Sequence, residues 1–308
     1  MTDLSTLLDL LRTAVLRDVI APGLIDNDGP APMFRASGTD VYLKLGDEGM
    51  LRLEQVGDGI RLNLVTNYVV PAGLGEDEEF GVSSLQSLVM VWYDDPPLTR
   101  VRYAPDAGPD PAVVRWIELE FGGRLRLTAG PVSSRGLTLT VRPGYDEWDD
   151  SIELPVLREL VGARVRDVVV PGYIERDQKV PELEVFSSVV YLMLDQGLVE
   201  AEQVGAGGGV QLRLVTGVTA PVKLTDMGEE VGYVSLDRLL LDDSLVTGAR
   251  YATGRNVDPN QGIVRAAEFE LGGTLRLVLD PMTLLGLELG VRRPEPAGVS
   301  DAVTVTYG

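Results

Sequence analysis

Glu118-Leu119-Glu120-Phe121-Gly122-Gly123-Arg124-Leu125-Arg126-Leu127 returns 150 positions later as Glu268-Phe269-Glu270-Leu271-Gly272-Gly273-Thr274-Leu275-Arg276-Leu277. Each copy alternates polar and apolar residues on both sides of a Gly-Gly pair, the pattern of a hairpin with one dry face. The register follows from that alternation. A two-residue loop would set Phe121 opposite Arg124 and Glu120 opposite Leu125, mixing polar and apolar on both faces. A three-residue loop, 122–124, sets Phe121 opposite Leu125, Glu120 opposite Arg126 and Leu119 opposite Leu127. Side chains alternate with period two, so only the second register keeps a face dry. The sequence predicts a three-residue loop with a glycine-assisted bulge in both copies. Glu120–Arg126 and Glu270–Arg276 then become cross-strand ion pairs.

The same offset, drifting between 148 and 151, carries outward through most of the chain. Arg17-Asp18-Val19-Ile20-Ala21-Pro22-Gly23 matches Arg166-Asp167-Val168-Val169-Val170-Pro171-Gly172, read as a strand ending in a Pro-Gly turn. Val41-Tyr42-Leu43-Lys44-Leu45 matches Val190-Tyr191-Leu192-Met193-Leu194, and Arg61-Leu62-Asn63-Leu64-Val65-Thr66 matches Gln211-Leu212-Arg213-Leu214-Val215-Thr216. Leu4, Leu7, Leu8 and Leu11 form a helical stripe with Thr2 or Asp3 as cap, answered by Leu154, Leu157 and Leu160. Arg142-Pro143-Gly144 and the acidic run after it read as a linker. The expected architecture is α+β and β-rich, a tandem duplication of one domain. Each copy is expected to hold a twisted, mostly antiparallel sheet and one or two helices. The boundaries are 1–149 for the first repeat, 150–293 for the second and 294–308 for a tail. Val303 to Tyr307 in that tail suit a short strand with no match in the first half.

Composition removes whole classes of chemistry. The 308 residues include no cysteine, hence no disulfide, thiolate metal site or Cys nucleophile. They include no histidine either, which excludes Ser-His-Asp and Cys-His catalysis, His-ligated zinc and His-carboxylate iron together. Chemistry here would fall to carboxylates, Lys, Tyr, Arg or a bound Mg²⁺ or Ca²⁺. The 47 acidic against 27 basic residues give a formal charge of −20. Such a field repels nucleic acid and anionic membranes and attracts a basic protein partner. Lys44, Lys179 and Lys223 are the only lysines, a bias toward Arg that fits a high-GC bacterial genome. Asp3 and Asp9 stand where a signal peptide carries cations, and no apolar run reaches bilayer length, so the expected location is cytoplasmic.

Candidate sites are weighed against plain structural roles. Glu118 and Glu120, with Glu268 and Glu270, are paired carboxylates of the kind a glycosidase uses. Beside Arg126 and Arg276 they read more simply as a solvated charged face. Their presence in both copies favours scaffold, since a duplicated domain needs its fold twice and an active site once. Asp26-Asn27-Asp28-Gly29 resembles part of a calcium loop, but Arg35 stands where the bidentate Glu belongs, so an Asx turn is expected. Gly205 to Gly209 lacks the Lys-Ser/Thr of a phosphate loop. Neither a cofactor nor a metal is implied.

The copies differ at Trp92-Tyr93-Asp94-Asp95, where two aromatics adjoin two acids. With Asp77, Glu78 and Glu79 of the acidic loop, they form the candidate binding region for a cationic partner. The leading expectation is a non-catalytic acidic protein-binding protein, most concretely an immunity- or antitoxin-like one that neutralises a basic partner. A carboxylate-dependent, glycan-active hydrolase and a structural or assembly subunit built from tandem domains are the alternatives.

Overall fold

The computed structural model describes residues 4–307 except 47–48, 72–73, 75–77, 90–95, 107, 109, 111, 124, 132–136, 143–150, 153–159, 206–208, 220–229, 242–244, 253–257, 259–260, 274, 284–285 and 293–301. Strands dominate. In the first half they are β1 (Leu16–Asp26), β2 (Met33–Ala36), β3 (Asp40–Leu45), β4 (Met50–Val56) and β5 (Gly59–Val65). They continue as β6 (Glu79–Ser84), β7 (Leu98–Pro105), β8 (Val113–Phe121), β9 (Leu125–Pro131) and β10 (Leu137–Arg142). A two-residue strand, β11 (Ser151–Ile152), precedes β12 (Val165–Glu175), β13 (Glu182–Val185), β14 (Val189–Leu194), β15 (Gly197–Val204) and β16 (Gly209–Val215). Then come β17 (Glu230–Ser235), β18 (Val246–Ala252), β19 (Ile263–Val264), β20 (Ala266–Leu271), β21 (Leu275–Thr283), β22 (Gly286–Arg292) and β23 (Val303–Thr306). The described α-helices are short, Leu4–Leu10, Gln86–Val89 and Asp237–Leu240. Helix content falls below the α+β expectation: the architecture is β-rich, with mostly antiparallel pairing and two parallel junctions.

The Gly-Gly hairpins take the derived register. Phe121 lies opposite Leu125 and Glu120 opposite Arg126; Leu271 lies opposite Leu275 and Glu270 opposite Arg276. Gly122 and Gly123 have φ of 58° and 68°, a left-handed backbone that favours glycine. The dry face of β8 and β9 buries Ile117, Leu119, Phe121, Leu125 and Leu127.

Pro22-Gly23 is not a turn. β1 runs straight through it, pairing Leu16 to Ile20 with β3 and Gly23 to Asp26 with β2, while β6 lies along its other edge. Pro-Gly marks where the strand changes partners. There a missing N–H donor is tolerated, and a Cβ on Gly23 would stand 2.1 Å from the Arg35 carbonyl oxygen. Pro171-Gly172 does the same in β12, with the Glu184 oxygen 2.3 Å from the corresponding position. A Pro-Gly pair reads as a turn locally; only the crossing strand shows that the glycine is needed for close approach.

The halves are not separate sheets. β13 pairs in parallel with β6, and β17 in parallel with β2, so strands of both halves join one large sheet, while β11, β18, β20, β21 and β22 form a second sheet of five strands. The helix Gln86–Val89 lies against β22, and the helix Asp237–Leu240 against β10. One continuous core follows, uniting Leu7, Phe34, Leu88 and Phe121 with Leu183, Leu239, Phe269 and Leu289. Leu7, Leu8 and Leu11 of the leading stripe enter that core, whereas residues 154 and 157 and the expected cap lie outside the described residues. The tail forms its expected strand, and it has a positional match. β23 pairs with β7, setting Val303 opposite Tyr103, as β11 pairs with β18, setting Ile152 opposite Tyr251. Edge strands are held by backbone bonds, so unlike sequences take equivalent places.

Candidate functional site

Of the residues singled out as binding candidates, Asp77, Trp92, Tyr93, Asp94 and Asp95 lie outside the described residues. Glu78 is exposed. Glu79 opens β6 and faces the other half. Arg176 donates to Glu79 and, through Nε at 2.7 Å, to Glu230, while its Nη2 reaches the Asn27 side-chain oxygen at 3.2 Å. Asn27 in turn donates to Glu79 at 3.2 Å. Two hydrogen-bonded halves meet at this cluster, and Arg176 holds the Glu79 carboxyl below the ordinary carboxylate range against the opposing pull of burial. Asn27 also belongs to the expected Asx turn, in which the Asp26 side chain accepts from the Asp28 N–H at 3.0 Å.

The paired glutamates form an ion-pair ladder rather than a solvated face. Arg100 and Arg126 both donate to Glu120, the latter at 2.9 Å, and Arg102 reaches Glu118 at 3.3 Å. Glu118 and Glu268 are only 5% and 3% exposed. Arg102 also lies over the Trp116 ring at 5.8 Å, closing the face that the sequence pattern left open. In the second half Arg276 approaches Glu268 at 3.8 Å, diagonal to its register partner Glu270, and Arg250 meets the same carboxylate at 2.6 Å. A buried carboxylate draws cations more strongly than an exposed neighbour does, because its desolvation is compensated only by charge and hydrogen bonds.

A second pair of acids escaped the sequence reading although it was visible as the repeated Arg-Asp-Val. Asp18 and Asp167 sit at matching bulges, where the ladder skips Arg17 and Arg166. The Asp18 side chain accepts from the Val19 N–H at 2.6 Å. Burial, partly offset by a Ser84 hydrogen bond, pushes its carboxyl up to about 7; burial likewise pushes Asp167 to about 6, offset by Ser235.

Both aspartates lie on the outer sheet face, away from the shared core, and here the halves diverge. Around Asp18, the residues Ile20, Tyr42, Met50, Phe80 and Val82 pack with Tyr68 and Leu74. Around Asp167, Val169, Val189, Tyr191 and Leu198 pack with Met33, Val215, Val218 and Tyr233. Tyr42 accepts from the Val69 N–H at 3.1 Å and Tyr191 from the Thr219 N–H at 3.2 Å, so Tyr68 and Val218 occupy equivalent places. The Tyr68 ring meets Tyr42 edge-on, centroids 5.4 Å apart. Val218 is shorter by that ring, while Tyr233 packs against the same cluster and Tyr191 stays fully buried. An open recess of about 600 Å³ is lined by Met193, Leu198, Leu214, Val215 and Val218 among others. Leu214 is 54% and Met193 37% exposed. Among the described residues no cluster of three or more acidic side chains is arranged to hold a metal ion, and no helix is long and apolar enough to cross a membrane.

Compared with protein-family models, curated proteins and solved structures, the chain matches none of them.

Proposed function

We propose that the chain is a tandem duplication fused into one unit and that it acts as a non-catalytic, acidic protein-binding protein, most concretely an immunity- or antitoxin-like one that covers a basic partner. The observation that carries this reading is where its cations go. Arg52, Arg61, Arg100, Arg102, Arg213 and Arg250 are each tied to carboxylates of their own chain. The surplus of acids behind the −20 charge therefore stays available to an outside cation. The carboxylates placed best for acid–base chemistry, Glu118, Glu120 and Glu268, are already neutralised by arginine, which weighs against the hydrolase alternative. Duplication is supported by the matching registers of β1 with β3 and of β12 with β14, each with its bulge before the aspartate.

The test is affinity purification of the tagged protein from its native host at low ionic strength. A stoichiometric basic protein should co-purify and dissociate as salt rises toward about 1 M, where the screening length falls to about 3 Å. Recovery of a lone monomer under those conditions would sink the reading.

A further inference from the structure

The same three residues close two equivalent strands, Leu64-Val65-Thr66 at the end of β5 and Leu214-Val215-Thr216 at the end of β16. On one side β16 pairs with β15 along its whole length, with Val215 opposite Leu198. On the other side β19 covers only Val210 and Gln211, and the last bond runs from the Leu212 N–H to the Gly262 carbonyl at 2.9 Å. Backbone groups along a strand point alternately to its two edges, so the N–H and C=O of Leu214 point the same way as the Leu212 N–H. Among the described residues no strand meets them. Natural edges are guarded by free charges, proline or a bulge. Here Leu214 is exposed, and the neighbouring cation, Arg213, is held by Glu200 and Glu202 of β15. Beside this edge opens the recess lined by Met193, Leu198 and Val215. β5 ends in the same way, its pairing with β8 stopping at Arg61, but there Val65 is packed with Tyr68 and Leu74. In the second half a bare edge and an open apolar recess coincide.

We propose that this edge takes an extended, cationic partner segment by strand addition, antiparallel to β16, with one aliphatic side chain beside Leu214 and the next beside Val215 in the recess. Strand addition draws its affinity from main-chain hydrogen bonds and its selectivity from the side chains on each face. A residue opposite Leu214 exchanges both N–H···O bonds with it, and successive side chains fall on opposite faces, hence two aliphatic residues in a row. The cations follow from charge. A second copy of the chain would bring another −20, whereas a basic segment meets an acid surplus that includes exposed Asp195 in the turn between β14 and β15. The proposal rests on the protein-binding reading above and supplies its docking mode.

The probe is a fluorescein-labelled, amidated hexapeptide, Arg-Lys-Val-Val-Lys-Arg. Its three counterparts are N-methylated at the first valine, N-methylated at the second, or carry glycine in place of both. Binding to the full chain is read by fluorescence anisotropy at low salt. One N-methyl peptide should bind like the parent and the other at least about tenfold more weakly, because successive N–H groups face the edge and the solvent in turn. The diglycine peptide should be weakened by about tenfold or more as well, through its lost apolar contact. Leu214→Lys guards the edge at an exposed position and should reduce the parent peptide to the diglycine level. Leu64→Lys makes the same charge change at the equivalent edge and should leave binding unaltered; equal melting temperatures of the two variants show that both are folded. Binding of all four peptides that is equal, fades with salt and ignores Leu214→Lys overturns the edge site and leaves the acidic-surface reading standing. Concentration-dependent association of the unaltered chain that Leu214→Lys abolishes gives the edge to a second copy and overturns the basic segment. If no peptide binds even at low salt, the edge proposal falls, and the purification from the native host decides separately whether the protein-binding reading falls with it.

Discussion

Asp18 shows how one side chain ties backbone geometry to pH. The bulge after Leu16 leaves the Val19 N–H in need of an acceptor, and the Asp18 carboxylate supplies it from 7% exposure. Burial makes the charged form expensive, so the folded carboxyl titrates near 7 against an ordinary 3.8. The neighbouring charges pull in opposite directions, Glu182 raising the value and Lys44 lowering it. Between those two pH values the folded chain holds a proton that the unfolded chain has lost. Stability from this site is therefore fully present below the unfolded value and declines as pH rises through the folded one. Asp18→Asn keeps the acceptor and removes the charge. It should raise stability at pH 8 by on the order of 4 kcal/mol, leave pH 4 nearly unchanged, and flatten the slope between, as read from urea unfolding at each pH. An unaltered slope would show that Asp18 is ionised at neutral pH in the fold.

At the scale of elements, edges decide more than interiors. β7 is a long strand whose outer edge is covered by β23, and Tyr307 beyond it donates to the Leu8 carbonyl at 2.8 Å. β23 itself is largely exposed, so it contributes by satisfying backbone groups more than by burying side chains. Truncation after residue 300 should lower stability by about 2–4 kcal/mol, from the several ladder bonds at about 1 kcal/mol each. It should also make the protein associate with increasing concentration through the bared β7 edge, as sedimentation velocity would record. A truncated chain that stays monomeric and equally stable would reduce β23 to an appendage.

The whole molecule is held at the junction of its halves. Two parallel strand pairs, the reciprocal placement of short helices on β10 and β22, and the Arg176 cluster all cross the same boundary. The core is shared, so neither half can lose its packing while the other keeps it. Scanning calorimetry should therefore show one cooperative transition whose calorimetric and van't Hoff enthalpies agree. Two resolved transitions would mean that each half folds alone. The isolated segment 1–149 should lack a stable monomeric fold, because Phe34 and Leu88 would lose the neighbours that β17 and β22 supply.

The β-rich hairpin pattern was legible in the sequence because hydrophobic alternation and turn chemistry are local. The Gly-Gly hairpins, their three-residue spacing, the tail strand and the Asp26–Asp28 turn all followed from residues within a few positions of one another. Pro22-Gly23, Glu118 and Asp18 did not. Each depends on a strand or cation distant in sequence, whether Arg35 behind Gly23, Arg102 over Glu118, or β6 against β1. The positions where the two halves differ, Lys44 against Met193 and Tyr68 against Val218, acquired meaning only when the fold set them in equivalent places. The sequence by itself determined a β-rich chain, an acid surplus and chemistry without histidine or cysteine, since these need only composition and period. The tertiary structure alone decided which carboxylates are neutralised, how the halves interlock and where a recess opens. Those outcomes depend on burial, which is a property of the packed chain and not of any segment.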